Sequence, residues 1–125
     1  ELSDLLKRPL PRVDDVVEAA QELIHSGIKN VAVSMGADGA ILCLYGEIIH
    51  AKPLSVDVKT TVGAGDAMVA GLTHAITNGQ SVEQAARMAT AVAAAALGQI
   101  GPILPSLTEI NELAGQVRIE HLSKN

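Results

Sequence analysis

Tryptophan and phenylalanine are missing from these 125 residues, and Tyr45 is the single tyrosine. The core must therefore be built from Ala, Val, Leu and Ile. Cysteine is nearly absent as well. Cys43 stands alone, so no internal disulfide can form, and its place in the run Ile41-Leu42-Cys43-Leu44 reads as buried core. Positive charge is scarce: nine Lys and Arg face fourteen Asp and Glu, a formal net charge of -5. That balance argues against a nucleic-acid partner, whose phosphate backbone demands basic patches. It leaves room for a nucleotide site, which needs only local positive potential.

Long hydrophobic runs are lacking too. Residues 88–108 carry no charge, but Gly98, Gln99, Gly101, Pro102 and Pro105 interrupt them. The unbroken apolar part is too short for a bilayer core of roughly 30 Å, so no membrane span is expected. The start, with Glu1 and Asp4, lacks the apolar region of a signal peptide, and a cytoplasmic protein is expected. His25, His50, His74 and His121 are scattered without metal-ligand spacing and read as surface or partly buried residues.

What is present is an alternation of short elements. Val16, Val17, Ala20, Leu23 and Ile24 form a helical stripe over residues 14–26, with Gly27 as its stop. Val31 to Val33 reads as a strand and Gly36 to Gly39 as a turn, with Asp38 as a solvated turn residue. Ala40–Leu44 and Ile48–Ala51 read as a hairpin around Tyr45-Gly46-Glu47. A helix is expected from Ala64 to Thr77, ended by Asn78-Gly79. The next runs from Ser81, an N-cap, to about Leu97, and a short last one starts with Ser106 as its cap. Eight alanines in residues 85–96 mark a tightly packed helix. The order is α-β-β-β-α-α-α, without repeats or low-complexity linkers, and residues 123–125 are expected to fray.

The most informative stretch is Thr60-Thr61-Val62-Gly63-Ala64-Gly65-Asp66-Ala67-Met68-Val69-Ala70-Gly71. Without a Cβ, Gly63 and Gly65 allow φ > 0 and close approach of a ligand. Successive amides in such a turn converge on an anion, and the helix N-terminus that follows adds partial positive charge. Asp66 does not suit a resting anion site. It suits one in which a carboxylate takes a proton from a hydroxyl while the amides hold the phosphoryl group in transit. Taken singly, an Asp in a first helical turn is ordinarily a cap or dipole partner. A lone G-A-G is ordinarily a tight turn. Their register, behind a Thr pair, favours the chemical reading.

T-V-G-A-G-D-A-M-V-A-G-L resembles the C-terminal signature of the ribokinase-like carbohydrate kinases, the PfkB family. The likeness continues at both flanks. Glu1-Leu2-Ser3-Asp4-Leu5-Leu6 is similar to the end of that family's K-P-N-x-x-E-L segment. Val31 to Ala40 is similar to its V-S-x-G-x-x-G nucleotide strand and turn. Val62 and the spacing are most similar to the branch acting on sugar phosphates: the minor bacterial 6-phosphofructokinase, 1-phosphofructokinase and tagatose-6-phosphate kinase.

The resemblance implies an α/β fold, the C-terminal part of a ribokinase-like three-layer αβα sandwich. Residues 1–125 would be the C-terminal portion of a single kinase domain, without the N-terminal portion and lid. It implies ATP-dependent phosphoryl transfer to a hydroxyl of a fructose or tagatose phosphate. Asp66 would be the base, and Gly63, Ala64 and Gly65 the anion hole. Ser34, Gly36, Gly39, Thr61, Val62, Thr90 and Ala93 would contact the nucleotide, the last two through the alanine-rich helix. Glu1 would act on Mg2+ through water, and Thr60, with the segment 96–103, would hold a monovalent cation such as K+. Lys59 stands where many relatives have an acidic residue, though a basic one is familiar among the sugar-phosphate kinases. Lys52 and Arg87 could meet phosphates, although solvated charge is their default. A sheet cut at this point leaves an exposed edge, from which a homodimer or larger assembly is expected. Two alternatives stay open: a non-catalytic nucleotide- or anion-binding module, and an inactive self-associating fragment.

Overall fold

A computed structural model describes residues 1–59, 62–98 and 105–122. Its elements run α1 (Leu2–Leu6), α2 (Val13–His25), β1 (Val31–Ser34), β2 (Ala40–Leu44), β3 (Glu47–Ala51), α3 (Ala64–Thr77), α4 (Val82–Leu97), α5 (Leu107–Gln116) and β4 (Ile119–Leu122). A single 3-10 turn, Gly36–Asp38, joins β1 to β2. The four strands form one antiparallel sheet in the order β1-β2-β3-β4.

The pleat sends successive side chains of β2 to opposite faces. Ala40, Leu42 and Leu44 join Ile49 and Ala51 of β3 in a core shared with α3, α4 and α5. Ile41 and Cys43 join Ile48 and Val31 in a second core against Val16, Val17 and Ala20 of α2. All five residues of β2 are therefore buried, and the molecule has three layers, helix, sheet and helix. Cys43 is buried, as its apolar neighbours suggest.

With no large rings to fill space, the helices come close. A Cβ on Gly71 of α3 would lie 3.0 Å from Ala89 Cα and 3.1 Å from the Met88 carbonyl oxygen on α4. Glycine on one helix and alanine on the other set this spacing, which fixes α3, and so its N-terminus, on the rest of the molecule. Before α3, the Lys59 amide donates to the Leu97 carbonyl at 2.7 Å, tying the incoming chain to the end of α4.

Two elements depart from the sequence reading. The α1 helix was not anticipated, nor was β4, which pairs with β3 through Ile48↔Leu122 and Ala51↔Ile119. Two charges also find structural work. Arg87 donates to the Ala114 and Val117 carbonyls, holding the end of α5. Lys52 contacts His50 and Glu120. No described helix is long and apolar enough to cross a membrane.

Candidate active site

Two glycine turns, on different layers, carry the candidate residues. The first opens α3. Gly63 is its N-cap with φ 87°, the left-handed region that costs other residues roughly 1–2 kcal/mol. Among the described residues no side chain caps this helix end. The amides of Ala64, Gly65 and Asp66 thus have no acceptor within the helix, and the helix dipole adds to their positive potential. Gly65 differs from expectation. It lies inside the first turn of the helix and is not among the positive-φ glycines. Among the described residues, neither Gly63 nor Gly65 has an atom within 4 Å of an added Cβ, so no packing there requires a glycine at 65.

Asp66 is exposed and is not a cap, since the helix lacks a side-chain cap hydrogen bond. Among the described residues it has no hydrogen-bond or ion-pair partner. Val62 is exposed beside it, and Met68 on the opposite face enters the core. The carboxylate therefore stands at the mouth of an amide-rich helix end, unpaired, on the outer surface of α3. Thr60 and Thr61 lie outside the described residues, as do positions 99–103 of the segment expected to hold a monovalent cation.

The second turn follows β1. The Met35 amide donates to Gly39 O at 2.7 Å, Asp38 N to Met35 O at 3.0 Å and Gly39 N to Gly36 O at 3.1 Å. Gly36 has φ 55° with open space around it, whereas Gly39 is enforced from within. An added Cβ at Gly39 would sit 2.1 Å from the Ala51 carbonyl oxygen. Gly39 was assigned to the nucleotide; the close approach of β3 accounts for it without one. Ser34 is exposed at the end of β1. A cavity of about 580 Å³ beside that strand brings Ser34, Met35 and Asp38 together with Glu1, thirty-three positions upstream of Ser34. Glu1 is the N-cap of α1 and is exposed.

Between α4 and α5 lies a smaller cavity of about 320 Å³, walled by Ala94, Ala95, Gly98, Leu113 and Val56. Thr90 and Ala93 were expected at such a wall. Thr90 is 7% exposed with its hydroxyl unpartnered, and Ala93 packs half-buried against the core. Ala94 and Ala95 of the same helix line this cavity, and Thr90 and Ala93 do not. Among the described residues no three His, Cys, Asp or Glu side chains gather to hold a metal ion. A divalent cation would take its ligands largely from phosphate oxygens and water, the habit of magnesium.

Sequence reasoning missed His50, which is buried beneath the second turn and bonded to it. The only signal was an ionisable residue inside a run of apolar strand positions.

Residues 1–109 match the pfkB family of carbohydrate kinases. The 1-phosphofructokinase of Rhodobacter capsulatus is 48% identical over 122 residues, 98% of this chain and 39% of the relative. Phosphofructokinase-2 from Escherichia coli, solved in complex with potassium, has a TM-score of 0.83 at 37% identity, over 93% of this chain and 38% of that one. Ribokinase from Thermotoga maritima has a TM-score of 0.75 at 27% identity, over 90% of this chain and 37% of that one. The likeness is thus to ribokinase-like kinases, and the chain spans about two-fifths of their length.

Proposed function

Because this chain belongs to the pfkB family of carbohydrate kinases, we propose that it is the phosphoryl-transfer part of a sugar-phosphate kinase. The substrates are ATP and a phosphorylated ketohexose of the fructose or tagatose type. The observation that carries this reading is the pairing at the start of α3: an unpartnered, exposed Asp66 beside uncapped amides and two glycines with open space around them. A helix end that merely bound an anion would gain nothing from a carboxylate facing phosphate.

In the reaction, Asp66 accepts the proton of the attacking sugar hydroxyl. The oxygen attacks the γ-phosphorus in line, and the bond to ADP breaks. The amides of the turn from Gly63 to Asp66 hold the charge spread over the phosphoryl oxygens. Ser34 and the open backbone at Gly36 contact the nucleotide phosphates, and the cavity between α4 and α5 takes the adenine. Glu1 would act on a magnesium ion through water, and the ion would supply charge neutralisation for the phosphates. The potassium complex of phosphofructokinase-2 supports a monovalent cation as a cofactor, for which we assign Thr60 as a ligand.

A coupled ADP-release assay on the whole enzyme tests the assignment. Asp66→Asn is expected to lower kcat by roughly 10²–10⁴-fold, the value of a general base. Near-normal kcat would remove Asp66 from the mechanism. Residues 1–125 alone, which span about two-fifths of the length of their relatives, are expected to give no measurable turnover and to associate through the open edge of β1.

A further inference from the structure

His50 lies on β3 and is buried, with 7% of its surface exposed. Its Nε2 is 2.7 Å from the carbonyl oxygen of Asp38, the last residue of the 3-10 turn between β1 and β2. A carbonyl can only accept, so Nε2 carries the proton and donates it. Nδ1 is then a bare acceptor, and Lys52 Nζ donates to it at 3.2 Å. Lys52 is held in turn by the Glu120 carboxylate of β4 at 3.2 Å, and its amide donates to Arg118 O at 2.8 Å. These contacts fix the tautomer. A proton on Nδ1 would oppose the Lys52 ammonium. A polar chain therefore runs from β4 across β3 and ends on one backbone carbonyl of the turn.

That carbonyl matters because the turn has little else on its outer side. Its internal hydrogen bonds close the loop, and Gly39 is wedged against Ala51, but Gly36 has open space around it. A carbonyl at the end of a 3-10 turn has no acceptor role within it. His50 supplies the donor from below.

We propose that His50 is a positioning residue for the nucleotide phosphates: its bond to the Asp38 carbonyl holds the Ser34–Gly39 turn in the conformation that presents Ser34 and the Gly36 backbone. It touches no substrate itself. The inference rests on the reading of this turn as the nucleotide site.

The test compares His50→Leu, His50→Gln and Gly36→Val in the whole enzyme. Leu fills the space but donates nothing. Gln carries an amide nitrogen near the position of Nε2 and can replace the lost donor. His50→Leu is expected to raise the KM for ATP roughly three- to tenfold, the size of one lost hydrogen bond, with little change in the KM for the sugar phosphate. His50→Gln is expected to restore most of it. Hydrogen exchange at the amides of residues 35 and 39 should quicken in His50→Leu and return in His50→Gln, and this readout needs no turnover. A normal ATP KM in His50→Leu, while Gly36→Val weakens ATP, would overturn the brace alone. An unaltered ATP KM in Gly36→Val would overturn the nucleotide reading and the brace with it. Equal losses in both KM values and in Tm would make His50 a core residue only and would also overturn the proposal.

Discussion

The two glycine turns look alike as strings and behave differently as structures. In the turn after β1, Gly39 is demanded by its own molecule: the Ala51 carbonyl occupies the place of a Cβ. Hydrogen bonds inside the turn and the imidazole below define its shape. In the turn before α3, nothing in the described chain approaches Gly63 or Gly65, and Gly65 has helical dihedrals that any residue adopts. The first glycine serves folding. Gly63 is accounted for by its left-handed φ of 87°, and Gly65 makes sense only when something from outside comes close. Glycines in a motif are therefore not equivalent, and a missing internal reason is itself a functional signal.

The contrast can be broken in several ways. The largest separation is expected at Asp66. Asp66→Asn should cost the 10²–10⁴-fold in kcat already described. Its effect on Tm should be slight, because the side chain has no described partner to lose. Differential scanning calorimetry beside the kinetics checks both halves.

At Gly39 the expectation reverses. Gly39→Ala puts a Cβ into the Ala51 carbonyl at positive φ, and strain plus overpacking should cost on the order of 3–5 kcal/mol. Urea unfolding should show the midpoint falling before any effect on catalysis is measurable. Unchanged stability would mean that β3 does not press on the turn as described.

Gly65→Ala sharpens the comparison most. Alanine in a helical turn should stabilise by about 0.5–1 kcal/mol over glycine. The same methyl group should obstruct the phosphoryl group and lower kcat by roughly 10–100-fold, the scale of a small misplacement. A variant that gains Tm and loses turnover is expected; one that keeps turnover would leave the glycine without a purpose.

The smallest effect belongs to the surface. His121 bonds Glu83, and that hydrogen bond holds the Glu83 carboxyl below the usual carboxylate range. Because the folded value is lowered, the contribution is present above the unfolded pKa and fades as pH falls through the folded one. Glu83→Gln should therefore move Tm slightly at neutral pH, and the difference from wild type should vanish in acid. Both groups are solvent-exposed, so salt should also erode it.

Much of this architecture could be read from the chain because its punctuation is local. The α3 helix begins after Gly63 and ends at Asn78-Gly79 as expected. Ser81 and Ser106 accept from the amides of Gln84 and Glu109, three residues on. The hairpin turns at Tyr45-Gly46, both at positive φ. What was missed depends on distant partners. Ile119–Leu122 is a strand because β3 offers an edge; four residues with no apolar alternation carry no such message. His50 could not be linked to Asp38 from spacing alone, because its partner is a backbone carbonyl. Arg87 reads by default as solvated charge, whereas it donates to the end of α5, thirty positions away in sequence. At the candidate site, residue types and order were legible. The division of labour between the two turns was not, since it depends on which atoms of β3 lie against which glycine.

A core without Trp, Phe or Tyr has an optical consequence. Its packing of Gly71 on Ala89 leaves no tryptophan inside to emit, and the only phenol, Tyr45, stands in solvent at the tip of a hairpin. This segment is nearly dark in the near ultraviolet. A fluorescent adenosine analogue bound to it would be seen against almost no background, and a tryptophan introduced at Leu113, beside the cavity between α4 and α5, would report on that site alone.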